Sequence, residues 1–252
     1  MSACWLGLAN KTAIVTGAGS GIGAAVAKAL SIQGCRLILA DHDKNALRVI
    51  QQECGPHSQS VTCDISKEDQ VRRLFQESFS KAQAAEESSI LINCAGITRD
   101  GWIGKMDLAS QWQSVLDVNL TGTFLCCREF LNQDLAKGGS IVNVSSVVAL
   151  QGNLGQTNYA ASKGGVLSLT RSLAKEVAHR QVRVNCVVPG FIDTNMVQSV
   201  PEAVQDRVRE RIALGKFGSP EDVANLILFL SSCERSGYIT GETMECSGMI
   251  SM

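Results

Sequence analysis

A short apolar run, Lys11 to Thr16 (KTAIVT), gives way to Gly17-Ala18-Gly19-Ser20-Gly21-Ile22-Gly23 and then to the helical stretch Ala24 to Gln33. Strand, glycine-rich turn and helix in that order constrain the fold more than any other stretch of the chain. Gly17 supplies a tight turn, Gly21 lets backbone approach a pyrophosphate, and Gly23 lets the helix pack close to the strand. The spacing is G-x-x-x-G-x-G, for which an ordinary glycine-rich βα turn is the plain alternative. A second apolar strand, Arg36 to Ala40, ends on Asp41, 18 residues beyond Gly23. An acidic side chain there can accept hydrogen bonds from an adenosine ribose, or simply begin the next turn or helix. As a ribose acceptor it would repel a 2′-phosphate. His42 and Asp43 add no fixed positive charge, so the pattern favours NAD(H) over NADP(H), with Lys44 alone softening it.

Strands and helices continue to alternate. Gln59 to Cys63 reads as a strand ending in Asp64-Ile65, where Asp64 could meet an adenine amino group or pair with Ser66 at a helix N-cap. An amphipathic helix is expected from Lys67 to about Ala85, then a strand from Ser89 to Asn93. The small turn Cys94-Ala95-Gly96 could lie beside a cofactor ribose. A long helical region, Leu108 to about Leu135, contains Asn119, a poor residue for a helix interior. Asn119 therefore signals a local distortion or a buried polar role, unless it is a solvent-facing amide. Ser140 to Val144 is a fifth strand that delivers Ser145-Ser146 at its carboxyl end, where open parallel sheets bind ligands. Val182 to Val188 is a sixth, running into Pro189-Gly190-Phe191-Ile192-Asp193-Thr194, with Thr194 a candidate for a carboxamide or phosphate. Residues 195–215 are charged and weakly patterned, a lid over substrate or else a surface helix pair. A helix from Pro220 to Ser231 starts behind the cap Ser219, and Thr243 to Cys246 is a last strand. With no linker, repeat or low-complexity tract, residues 1–252 read as one doubly wound α/β domain with a mostly parallel seven-stranded sheet between helices.

Tyr159 and Lys163 are four apart within Asn158-Tyr159-Ala160-Ala161-Ser162-Lys163-Gly164-Gly165, so on a helix they share one face. The small residues between and after them leave room for a flat ring against that face. An ammonium beside a phenol is expected to draw its pKa down toward neutrality, where acid–base catalysis is efficient. Taken alone, such a pair usually means packing plus a solvated amine.

A chain of 252 residues with 45% hydrophobic content can bury a full core. Its formal charge of −1 is spread evenly, so nothing suggests a nucleic acid or an anionic membrane surface as partner. No apolar run is long enough to span a bilayer. Ten cysteines without a single C-x-x-C fit small buried hydrophobes in a reducing compartment better than disulfides or zinc ligands. The three histidines are not paired at metal-ligand spacing, and no metal site is expected. Met1 to Lys11 lacks a basic start followed by a long apolar run, so secretion is not expected.

Thr16-Gly17-x-x-x-Gly21-x-Gly23, Asp64, Asn93-Cys94-Ala95-Gly96, Asn119, Ser146, Tyr159-x-x-x-Lys163 and Pro189-Gly190 stand in one order over nearly the whole chain. In this the chain resembles the short-chain dehydrogenase/reductase family, whose catalytic serine likewise lies 13 residues before the tyrosine. Within the family, Ser145-Ser146-Val147-Val148, Gly152 to Tyr159 and Pro189 to Thr194 are similar to 3-oxoacyl-[acyl-carrier-protein] reductases. The resemblance implies a Rossmann domain and hydride exchange with a nicotinamide cofactor. It implies Asn119, Ser146, Tyr159 and Lys163 as catalytic residues, with Asn119 holding a water that links Lys163 to solvent. For the cofactor it implies Gly17, Ser20, Gly21, Ile22, Gly23, Asp41, Asp64, Ile65, Asn93, Ala95, Gly96, Tyr159, Lys163, Pro189, Gly190, Ile192 and Thr194. The substrate implied is a 3-oxoacyl thioester on acyl carrier protein or coenzyme A, with a hydroxysteroid or other secondary alcohol as the alternative. Lys137 and Arg180 match positions that meet the acidic carrier protein in bacterial relatives. A homo- or heterotetramer, and the mitochondrial matrix or else the cytoplasm, are implied by resemblance alone. Three departures stand out: Cys94 for a second Asn, Ser247-Gly248 for paired glycines, and Asp41 where NADPH users carry a basic readout.

Overall fold

The computed structural model describes residues 5–80, 89–133, 136–194, 197 and 202–250. Seven strands form one sheet: β1 (Thr12–Thr16), β2 (Arg36–Asp41), β3 (Ser58–Thr62), β4 (Ile90–Asn93), β5 (Ser140–Val144), β6 (Arg183–Pro189) and β7 (Thr243–Cys246). Their spatial order is β3-β2-β1-β4-β5-β6-β7. Every pairing is parallel, so the sheet carries no antiparallel edge among the described residues. The expectation of a mostly parallel sheet is met in its strictest form.

The two faces of the sheet follow from the two-residue period of a strand. Ala13 and Val15, Leu37 and Leu39, and Ile90 and Ile92 share one core with the helices Gly21–Ile32 and Pro220–Ser231. Ile14, Ile38 and Leu91 point the other way, toward Leu74, Phe75, Leu125 and Phe130. On that second face Phe75 and Phe130 meet edge to face, ring centroids 6.5 Å apart. Apolar residues on both faces of each central strand explain why the strands read as continuous runs rather than as alternation.

Most expected elements stand within a residue or two of their predicted ends. The helix expected from Lys67 is described over Glu68–Ser80, and the rest of its predicted span, 81–85, lies outside the described residues. The long region beginning at Leu108 is less regular. It runs as π-helix (Leu108–Gln113), α-helix (Ser114–Leu116), π-helix (Asp117–Gly122) and α-helix (Thr123–Leu131). Asn119 sits inside the second π segment, so distortion and a buried polar role both hold. In the expected lid, residues 195, 196 and 198–201 lie outside the described residues. The remainder of that stretch contains a helix, Glu202–Arg209, and Ile212 then bridges antiparallel to Ile250.

Candidate active site

Strands β2 and β3 lie to one side of β1, and β4 to β7 lie to the other. The chain therefore reverses its crossover direction between β1 and β4. Loops leave the carboxyl ends of those two strands in opposite directions and open a crevice. A cleft of about 540 Å³ lies there, lined from the ends of β1, β2, β4, β5 and β6.

The glycine loop forms one wall. Gly17 has φ +66°, and a Cβ on it would stand 2.7 Å from the Ala95 backbone. A Cβ on Gly23 would stand 2.0 Å from the Gly17 carbonyl oxygen. Both positions therefore accept glycine alone, one for backbone twist and one for helix-to-loop contact. Ser20, Gly21 and Ile22 complete this wall at the start of the helix Gly21–Ile32, whose first amides have no partner within the helix.

At the far end, Asp41 closes β2. Its Oδ2 accepts from the Gly19 amide at 2.9 Å, and its Oδ1 accepts from the Asp43 amide at 3.0 Å. His42 Nδ1 stands 3.0 Å from the same Oδ1. Asp43, not Asp41, caps the next helix (Lys44–Cys54), accepting from the Asn45 and Ala46 amides. The carboxylate of Asp41 therefore fixes the glycine loop as well as facing the cleft. Sequence reading did not foresee that contact. Asp64 lines the cleft, and its Oδ1 accepts from the Ser66 amide and hydroxyl in the turn before the helix Glu68–Ser80.

The floor joins three elements. β5 ends at Val144, whose carbonyl accepts from Lys163 Nζ at 2.8 Å. Ser145 Oγ donates to the Lys163 carbonyl at 2.8 Å, and Ser146 Oγ accepts from the Val148 amide at 3.2 Å. Tyr159 and Lys163 share one face of the helix Thr157–Val177, with the ammonium 5.9 Å from the phenol ring centroid. The Ser146 hydroxyl and the Tyr159 phenol line the cleft together. Serine, tyrosine and lysine are thus brought together beside Cys94, Ala95, Gly96 and the turn Pro189-Gly190, with Ile192 and Thr194 beyond it.

The electrostatics of this floor differ from expectation. Burial pushes the Tyr159 phenol up to about 12; the neighbouring Ser146 hydroxyl opposes this and the Asp100 charge adds to it. Burial likewise brings the Lys163 ammonium down to about 8. The predicted lowering of the phenol by its lysine neighbour is not found; desolvation, which disfavours phenolate and ammonium alike, sets both shifts.

Two predicted residues stand behind the cleft rather than in it. Asn93 is buried under the floor, donating through Nδ2 to Asn143 Oδ1 at 2.9 Å. Asn119 is fully buried. Its Oδ1 accepts from the Ile97 amide at 2.8 Å, and its Nδ2 donates to the Ile97 carbonyl and Ser162 Oγ, both at 3.0 Å. Sequence reading missed Ser162 and Asn158, which bind backbone around Tyr159. Their polarity at fully buried helix positions was the available signal. Ile65 lines the cleft as expected. No group of acidic, cysteine or histidine side chains suited to a metal occurs among the described residues.

A glycine cradle leading to a Ser-Tyr-Lys floor can be compared with known proteins. The family model described as enoyl-(acyl carrier protein) reductase, a short-chain dehydrogenase/reductase model, matches residues 17–248. The chain belongs to the short-chain dehydrogenase/reductase family. It is 41% identical over 246 residues to the 3-oxoacyl-[acyl-carrier-protein] reductase FabG of Aquifex aeolicus, covering 96% of this chain and 97% of that protein. It is 40% identical over 259 residues to the (3R)-3-hydroxyacyl-CoA dehydrogenase of Mus musculus, covering 98% of both. The FabG of Thermotoga maritima is 40% identical over 245 residues, covering 96% of this chain and 98% of that protein. As a short-chain dehydrogenase/reductase the protein is an oxidoreductase, and the family's Rossmann fold implies a nicotinamide dinucleotide. The residues present fit that group, since the glycine wall leaves backbone rather than side chains where a pyrophosphate would lie.

Proposed function

We propose that this protein is an NAD(H)-dependent reductase of 3-oxoacyl thioesters, acting reversibly on chains carried by acyl carrier protein or coenzyme A. One observation carries the reading: Ser146, Tyr159 and Lys163 converge on the floor of a glycine-walled cleft whose opposite end holds a carboxylate, Asp41. The named activities of the relatives point the same way.

The bound nicotinamide supplies or takes up the hydride. In reduction, the Ser146 hydroxyl donates to the ketone oxygen and stabilises the charge that grows there. Tyr159 then gives its phenolic proton to that oxygen, forming the hydroxyl. Lys163 balances the phenolate left behind and holds a cofactor ribose. Asn119 carries a framing role, because its amide is spent on Ile97 and Ser162. The resemblance further implies a water held at Asn119 that links Lys163 to solvent as a proton relay. Asn93 acts indirectly, by shaping the turn that Ala95 and Gly96 present. Asp41 accepts from the adenosine ribose and repels a 2′-phosphate, which is the basis for NAD(H).

The proposal extends to an acidic carrier protein meeting Lys137 and Arg180. These positions lie on one surface, since the Gly138 amide donates to the Arg180 carbonyl at 3.1 Å. The Arg180 guanidinium, however, donates to the Leu131 and Gln133 carbonyls at 2.6 and 3.4 Å, so Lys137 is the freer charge for docking. A tetramer in the mitochondrial matrix belongs to the same reading and rests on resemblance alone.

Steady-state reduction of acetoacetyl-CoA with NADH and, in parallel, NADPH tests the proposal, with oxidation of estradiol by NAD as a third arm. Strong NADH-linked turnover of the thioester is expected. An NADPH preference removes the Asp41 argument, and a dead thioester assay beside fast estradiol oxidation moves the substrate to a secondary alcohol.

A further inference from the structure

In the stretch 97–101, Ile97 and Arg99 line the cleft that Tyr159 also lines. This stretch forms no strand, yet side chains hold it at nearly every residue. Asn119 grips both the amide and the carbonyl of Ile97. Asn158, fully buried, donates through Nδ2 to the Arg99 carbonyl at 2.8 Å and to the Gln111 carbonyl at 2.9 Å. Its Oδ1 accepts from the Tyr159 amide at 2.8 Å. One amide therefore satisfies a wall of the cleft, the π-helical start of the long helix and the peptide unit of the tyrosine. Gln156 adds a tether from outside, donating to both Asp100 carboxylate oxygens at 3.1 and 3.0 Å, while the Gly101 amide donates to the Gly155 carbonyl at 2.8 Å.

Resting on the reductase reading above, we infer that Asn158 is a positioning residue for the carbonyl substrate: it sets the distance between the Tyr159 phenol and the 97–101 wall against which the substrate lies. A buried amide with donors and acceptor all engaged has one geometry, so it transmits the place of the wall to the tyrosine without slack. The glycine wall and Asp41 are held by contacts that do not include Asn158. Loss of the clamp should therefore disturb the carbonyl substrate and spare the dinucleotide.

Asn158→Ser keeps an oxygen near the Tyr159 amide and removes both donors. Its kcat/KM for acetoacetyl-CoA should fall by about 10- to 100-fold, as expected when reacting groups are misplaced by about 1 Å. Its Kd for NADH, read by fluorescence titration without substrate, should stay within about twofold. In the free protein, hydrogen exchange of peptides covering 97–113 should quicken while those covering β5 do not. A fall in NADH affinity as large as the fall in kcat/KM, or an unchanged kcat/KM in the folded variant, overturns the inference. If Asn158→Ser does not fold, Gln156→Ala decides, because its tether lies at the surface: the same split in smaller measure upholds the clamp, and equal or absent effects overturn it. A wild type inactive on acetoacetyl-CoA sinks the reductase reading instead, and the split is then measured on whichever carbonyl substrate the wild type reduces.

Discussion

At the residue scale, Lys163 shows a conflict between stability and function. It is 4% exposed, and burial lowers its pKa from 10.5 to about 8. At neutral pH the folded protein must hold a desolvated charge, a cost on the order of 3 kcal/mol by proton linkage. Lys163→Met should abolish turnover yet melt no lower than wild type at pH 7, and higher if the packing is kept. Below pH 8 or so both states bind the proton and the cost is complete; between 8 and 10.5 only the unfolded state binds it. Protonation of the unfolded chain alone makes that cost fall as pH rises, so wild-type stability increases across this window. The melting-temperature gap between variant and wild type should thus close from pH 8 toward 10.5. A gap independent of pH would mean that the lysine is not strained. Tyr159→Phe is the complementary test. It removes the phenolic hydroxyl and keeps the ring, so kcat should fall about 100-fold or more while NADH binding survives.

At the element scale, the helix Pro220–Ser231 shows what local sequence can specify alone. Ser219 accepts from the Asp222 amide while the Asp222 carboxylate accepts from the Ser219 amide, a reciprocal cap with Pro220 in the first turn. Ser219→Ala should cost about 1 kcal/mol, which for a chain of this size is about 2–4 °C in melting temperature, with activity unchanged. Thermal scans with parallel kinetics would show it. This cap, strands β5 and β7, and the Tyr–Lys face were all legible because each rests on residues close in sequence. The π-helical turns around Asn119 were legible only as a disturbance, since their register is set by Ile97 and Ser162, both distant in the chain. The direction of the Asn93 side chain was hidden for a similar reason. A side chain at the end of a strand can face the cleft or the layer beneath, and the partner that decides, Asn143, lies 50 residues away. The pKa values of Tyr159 and Lys163 escaped sequence reasoning altogether, because spacing reveals a neighbour and conceals the desolvation that dominates both shifts.

At the scale of the whole molecule, the parallel sheet separates the chemistry from the scaffold. Helices packed on both faces bury β1, β4 and β5, and the site occupies only the ends of the strands. A dinucleotide that bridges the glycine wall, Asp41 and the Tyr159–Lys163 floor would touch segments from both halves of the sheet, and would therefore stabilise the fold as a unit. For a ligand bound only by the folded state, a concentration of about 100 times Kd adds about 2.7 kcal/mol, or about 5–10 °C at this chain length. NADH should raise the melting temperature by that amount, and NADPH at equal concentration should raise it far less, because its 2′-phosphate would meet the Asp41 carboxylate. Asp41→Ala should shrink the difference between the two cofactors. It should also weaken NADH itself, since the Gly19 amide loses its partner at 2.9 Å and the glycine loop loosens. If Asp41→Ala leaves the NADH shift intact and merely adds an NADPH shift, the carboxylate acts on cofactor choice alone and its grip on the loop carries no weight. Equal shifts from both cofactors in the wild type would show that Asp41 does not discriminate, and the case for NAD(H) would fall while the Ser-Tyr-Lys floor stood.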